Sequence, residues 1–109
     1  MASMGTDDAD AEHGVLARLK TAPNRAVGAR QTLRALHKGI ARLVYVARDA
    51  DPAITDPIVD LSRHRAVEVV YVESMHALGR ACGIEVSASA AAVVAGELPE
   101  AKRQRRGGP

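Results

Sequence analysis

Short continuous runs of hydrophobic residues alternate along the chain with segments in which hydrophobic residues recur every three or four positions. This pattern predicts strands separated by amphipathic helices. Continuous apolar runs at Leu43–Ala47 and Val69–Val72 are typical of strands that are buried on both faces. Shorter runs at Arg25–Val27 and Ala91–Ala95 predict two more strands. Strands that alternate with helices in this way indicate an α/β fold. We expect a three-layer α/β/α sandwich built on a small, mixed, four-stranded sheet.

Capping residues and apolar spacing predict a short helix ending before Pro23 and three further helices. Asp51 followed by Pro52 is typical of a helix start, and Ser74 is a second N-cap candidate. Gly39 and Gly83 follow apolar stripes and are expected to end their helices. The residues expected on the buried faces are Val15, Leu16, Leu19, Leu33, Leu36, Ile40, Ile54, Ile58, Leu61, Met75, Leu78 and Cys82.

The chain of 109 residues has the length of one domain, which we expect to cover residues 13–96. Residues 1–12 are polar and acidic, and residues 97–109 are polar and basic. Neither segment has the apolar content to pack, so both are predicted to be disordered. No apolar run approaches about 18 residues, and the acidic start does not resemble a secretory signal. The expectation is a cytoplasmic monomer without a membrane partner.

The net charge of +2 hides a strong segregation of charge along the chain. Residues 13–48 carry eight basic side chains and no Asp or Glu. Residues 49–100 carry three bases against nine acids, and the tail from Ala101 carries four further bases. Basic charge that is concentrated in one segment favours a local binding patch for a polyanion over nonspecific binding by the whole surface.

Gly28 opens a helix whose first turns carry basic and amide side chains. Free N–H groups and partial positive charge at a helix N-terminus attract phosphate, so nucleic acid is the expected partner. From charge alone, a solvated basic helix face is an equal alternative. The chain has no Phe or Trp and only two tyrosines, so it cannot build a platform for base stacking. It would have to recognise backbone shape or groove edges.

Other candidate chemistry is weak. Cys82 is the only cysteine, which excludes an internal disulfide and a thiolate metal cluster, and we expect it to be a small buried hydrophobe. Helix capping explains Asp51, and strand termination explains Asp49, better than metal binding does. No nucleophile, base and oxyanion donor come together. The sequence predicts no enzyme, no metal site and no cofactor.

Several segments in a fixed order point to one known family. Gly28–Leu36, Lys38–Gly39, Val46–Pro52 and Val72–Val86 closely resemble kink-turn RNA-binding ribosomal proteins, in particular their short bacterial, YbxF-like branch. The resemblance spans residues 14–95. It implies an α/β/α domain that docks on a sharply bent RNA duplex. In that family, the start of the helix after the glycine enters a major groove widened at tandem sheared G·A pairs.

The resemblance also implies roles for individual residues. Gly28 would allow the RNA to approach the backbone closely, Arg30 and Gln31 would face guanine edges, and Arg34 and Lys38 would contact phosphates. A loop before the last strand would cover the extruded nucleotide of the kink. Many members have Asn and Glu where this chain has Arg30 and Gln31, so we expect binding with a larger electrostatic part. The expected RNA-binding residues are Gly28, Ala29, Arg30, Gln31, Arg34, Lys38, Ile84, Glu85, Val86, Ser87 and Ala88.

The resemblance therefore predicts a non-enzymatic protein that recognises kink-turn RNA, in the ribosome or associated with it. Its expected partner is structured RNA, either ribosomal RNA or a messenger leader. The alternative is a protein–protein adaptor of the same fold, with the acidic segment Asp49–Glu100 as a second interface. A third alternative is that the chain supplies RNA binding to a separate modifying enzyme.

Overall fold

The computed structural model describes residues 16–84 and 86–96. Helices and strands follow one another in the order that the sequence predicts. The expected terminal segments 1–12 and 97–109 lie outside the described residues, as does Val15. The bounds are α1 16–21, β1 Arg25–Val27, α2 Ala29–Lys38, β2 Ala41–Ala47, α3 Pro52–His64, β3 Glu68–Val72, α4 Met75–Ala81 and β4 Ala90–Val94.

The four strands form one mixed sheet in the order β1-β4-β2-β3, which confirms the predicted sheet. β2 and β3 are parallel, as expected for strands joined by a helical crossover. β4 lies between β1 and β2 and runs antiparallel to both. β1, β2 and β3 therefore run in the same direction, and their C-terminal ends lie at one edge of the sheet.

Helices cover both faces of the sheet, so the three-layer arrangement is confirmed. α1 and α4 pack on one face, in a core that includes Leu19, Tyr45 and Leu78. α2 and α3 pack on the other face, in a core that includes Leu36 and Ile58. Apolar area that is removed from water on both faces stabilises the sheet.

The predicted buried face of α3 is partly wrong, because Ile54 is 45% exposed. Leu33 and Leu61 are half-buried and pack against the core, as predicted. Thr55 and Ser62 also lie in buried positions of α3. The Ser62 hydroxyl donates to the carbonyl oxygen of Ile58 at 2.7 Å. Because this bond satisfies the hydroxyl inside its own helix, a short polar side chain is tolerated in a buried position.

Candidate nucleic-acid interface

Three helices begin at the edge of the sheet where β1, β2 and β3 end. Their N-caps are Gly28, Asp51 and Ser74. The residues that lead into β4 lie at the same edge, because the N–H of Gly28 donates to the carbonyl oxygen of Ala90 at 2.8 Å. The N–H of Ala47 donates to the oxygen of Ser89 at 3.0 Å. The fold thus places the start of α2 beside the loop that precedes β4, the two segments of the expected site.

Gly28 holds a backbone conformation that other residues avoid, with φ 94° and ψ 160°. A methyl group added there would meet nothing within 4 Å. The requirement for glycine is therefore conformational, and the space in front of the turn is open. No side chain caps α2 at this position, so the partial positive charge of the helix start faces outward.

The Gln31 side chain is fixed against this turn. Its Oε1 atom accepts a hydrogen bond from the N–H of Val27, the residue before the N-cap, at 3.1 Å. The Thr32 hydroxyl donates to the oxygen of Gly28 at 2.8 Å and is buried. An amide oxygen can accept a second bond, and the amide nitrogen carries two donors. Gln31 therefore keeps hydrogen-bonding capacity for a ligand while it stabilises the helix start.

Basic side chains extend along the exposed face of α2. Arg30, Arg34 and Lys38 are all exposed, as their four-residue spacing predicts. Together with Leu33 and His37 they line a shallow surface depression. α2 contains no Asp or Glu, so no acid within this helix offsets the three cations. The helix presents positive charge from its first turn to its last.

The loop before β4 is held against α4 at a glycine. A Cβ atom at Gly79 would overlap the carbonyl oxygen of Val86, and it would lie 3.2 Å from Cα of Ser87. The N–H of Ala88 donates to the oxygen of Met75 at 3.1 Å. Val86 is 69% exposed, whereas Ala88 is 4% exposed. Val86 and Ser87 therefore face solvent, while the side chain of Ala88 belongs to the core; Ile84 is half-buried, and Glu85 lies outside the described residues.

Sequence reasoning missed two features near this edge. The sequence analysis gives Gly79 no role, although a glycine inside a helix is unfavourable without a packing reason and therefore signals close packing. The sequence predicts strand termination as the role of Asp49, but its Oδ1 atom accepts a hydrogen bond from the N–H of Met75 at 2.8 Å. Asp49 therefore helps Ser74 to cap α4, and Asp51 accepts from the N–H of Ala53 at 3.0 Å as predicted.

The remaining candidate chemistry is structural. Cys82 is buried, and burial raises the pKa of its thiol to about 11, so it stays protonated and behaves as the expected small hydrophobe. Within 16–84 and 86–96, no group of His, Cys, Asp and Glu could hold a metal ion. In the same residues, no helix is long and apolar enough to span a membrane.

The same segments are recognised when the chain is compared with known proteins. Residues 10–101 match the model of the ribosomal protein L7Ae/L30e/S12e/Gadd45 family. The chain belongs to this family. The match covers both the α2 start and the loop before β4, which the fold brings together.

Individual relatives show which members of the family this chain is similar to. An RNA-binding protein of Bacillus pumilus is 39% identical over 77 residues, which are 71% of this chain and 94% of that protein. The large ribosomal subunit protein eL8 of Halobacterium salinarum is 42% identical over 69 residues, or 62% of this chain and 58% of that protein. A solved 15.5kD RNA binding protein of Giardia lamblia has a TM-score of 0.68 and 31% identity, and covers 75% of this chain and 72% of its own. These findings confirm the family, its short bacterial branch and the fold.

Proposed function

We propose that this chain is a non-enzymatic RNA-binding protein that recognises kink-turn RNA, in the ribosome or associated with it. Two bacterial relatives that match about 70% of this chain carry the name of an RNA-binding protein, and an archaeal relative is a protein of the large ribosomal subunit. The observation that carries the proposal is the juxtaposition of the uncapped α2 start with the loop before β4. A helix start that opens on free space at Gly28, with the exposed Val86 beside it, suits a bent duplex better than a straight one.

The role of the helix start follows from its geometry. Gly28 turns the chain without a side chain, and Gln31 is already oriented by Val27. The first turn of α2 can therefore enter a widened groove without prior rearrangement, which lowers the cost of binding. Arg30 and Gln31 would read guanine edges there, and Ala29 would lie against the RNA backbone.

The remaining expected contacts surround this centre. Arg34 and Lys38 would bind phosphates along the exposed face of α2, where their charge is not offset by acids of that helix. Val86 and Ser87 would cover the extruded nucleotide, with an apolar side chain in place of an aromatic platform. Ile84 and Ala88 would act chiefly by placing these two residues, and Glu85 stays an expected contact of the same loop.

The first prediction tests specificity directly. The protein should bind a duplex with a three-nucleotide bulge and tandem G·A pairs well above a plain duplex of equal length and charge. The reason is that A-form major grooves are too narrow for side chains unless a kink opens them. Competition binding at fixed salt measures the ratio of the two affinities. Equal affinities would leave only a nonspecific polycation and would favour the adaptor alternative.

A further inference from the structure

A second basic cluster lies at the opposite edge of the sheet, where α2 and α3 end and β2 and β3 begin. A groove of about 360 Å³ opens there, lined in part by Arg42, Arg65 and Val67. The two arginines are distant in sequence, and the parallel pairing of Leu43 with Glu68 brings their segments together. Arg42 belongs to the basic stretch of the sequence, yet the proposed kink-turn site gives it no role.

One of the two arginines is held in place by the backbone. Nη2 of Arg65 donates to the carbonyl oxygen of His37 at 3.3 Å. Its Nη1 atom lies 4.0 Å from the position that a Cβ atom of Gly39 would take, so the guanidinium lies over the turn that ends α2. A guanidinium has five N–H donors, and one hydrogen bond to His37 leaves others for a ligand. A fixed guanidinium loses less entropy when it binds a phosphate than a mobile one does.

The charge of this edge favours an anion. Residues 37–42 and 63–68 carry four cations, Lys38, Arg42, Arg63 and Arg65, against the single acid Glu68. The C-termini of α2 and α3 add partial negative charge of about half a unit each. That contribution is smaller than the excess of side-chain cations, so the edge stays positive. Two of the three bases in the otherwise acidic segment 49–100 lie here.

The basic face of α2 connects this groove to the proposed kink-turn site. Arg30 and Lys38 are eight residues apart, or about 12 Å along a helix, and Arg34 lies between them. Gly39 follows Lys38 directly and lines the groove. A row of cations therefore runs from one edge of the sheet to the other. A duplex stem leaving the kink along this row would bring its phosphates to Arg42 and Arg65.

We propose that the groove between Arg42 and Arg65 is a second phosphate-binding site, which holds the backbone of an RNA stem that flanks the kink. The proposal rests on the proposed function, because the stem belongs to the same RNA. Two guanidinium groups on neighbouring segments can bind phosphate oxygens without reading bases. The site would therefore add affinity and fix the direction of the stem, and would leave the choice of kink to the α2 start.

The test compares short-stem and long-stem RNAs. One kink-turn RNA has short stems, and two others have either stem lengthened. The variants are Arg42→Gln with Arg65→Gln, and a charge-matched control with Arg18→Gln and Lys20→Gln on α1, across the sheet. For the wild type, one lengthened stem should steepen the slope of log affinity against log salt by about two, as two further phosphate contacts would. The groove variant should lose this increment, and the α1 control should keep it.

Two results would overturn the second site. If the wild type and the groove variant had the same slopes on both lengthened RNAs, Arg65 would be only a cap for α2. If the α1 control also lost the increment in salt slope, the loss would reflect the lower overall charge of the protein and not the groove. The single variant Arg42→Gln is the control in case the double variant does not fold, since Arg42 is exposed. It should remove about half of the increment in the salt slope. Failure of the proposed function would show separately, as equal wild-type affinity for the short-stem kink-turn and a plain duplex.

Discussion

The Gln31 amide has one role in the fold and another in the proposed interface. Its oxygen accepts from the N–H of Val27, which satisfies a donor just before the helix start. A carboxylate at this position could accept the same bond and would add negative charge. The choice of amide or carboxylate therefore changes the charge and the hydrogen-bond donors that the site offers to RNA more than it changes the stability of the helix start.

We expect Gln31→Ala to lower the preference for a kink-turn over a plain duplex by roughly 1–3 kcal/mol, the range for a good base-edge contact. It should also lower the free energy of unfolding by about 0.5–1.5 kcal/mol, because the bond to Val27 is lost. Gln31→Glu keeps the accepting oxygen and should leave stability nearly unchanged. Urea unfolding and competition binding separate the two effects.

Arg34→Ala is the contrasting variant for this prediction. It should weaken kink-turn and plain duplex alike and flatten the salt dependence, as loss of a phosphate contact does. A Gln31→Ala protein that kept the full kink-turn preference would contradict the assignment at its centre. The reading site would then have to lie elsewhere on the same edge of the sheet.

At the scale of the helices and strands, the sequence predicted which segments form and in what order. Period, capping residues and turn glycines act locally, so Asp51, Ser74 and Gly39 could be assigned without tertiary information. The residues on the buried face of α3 could not all be predicted in this way. Ile54 is exposed, whereas Thr55 and Ser62 are buried, and the Ser62 hydroxyl bonds to the oxygen of Ile58 within the same helix. Those outcomes depend on where the helix docks.

The packing of α4 against the loop before β4 gives a prediction at this scale. Gly79→Ala should destabilise the fold by roughly 1–3 kcal/mol, as overpacking commonly does, because the methyl group would overlap the carbonyl oxygen of Val86. Relief of that overlap displaces Val86 and Ser87, so affinity for kink-turn RNA should fall as well. Thermal unfolding and RNA titration measure both.

Gly96→Ala is the matched control, since a methyl group there meets nothing within 4 Å. It should change neither stability nor affinity. A Gly79→Ala protein with the wild-type melting temperature would show that α4 and the loop can move apart freely. Wild-type RNA affinity in a destabilised Gly79→Ala protein would instead remove the loop from the proposed interface.

At the scale of the whole molecule, the fold rearranges the charge that the sequence displays in blocks. The basic stretch 13–48 is divided between the two edges of the sheet, since α2 begins at one edge and ends at the other. Arg65, from the acidic segment, joins Arg42 at the far edge. The linear pattern predicted a polyanion partner but could not predict a groove at the far edge, because only the pairing of β2 with β3 creates it.

The last prediction concerns the basic tail, which adds four cations at Lys102, Arg103, Arg105 and Arg106. Deletion of residues 101–109 should lower the affinity for every RNA at low salt, because fewer counterions are released on binding. The ratio of kink-turn to plain-duplex affinity should hold, since discrimination is assigned to the α2 start and the loop before β4. Replacement of the four cations by glutamine in the full-length chain is the control that separates charge from length. If either change abolished the kink-turn preference, recognition would reside in the tail, and the folded edge would supply only general affinity.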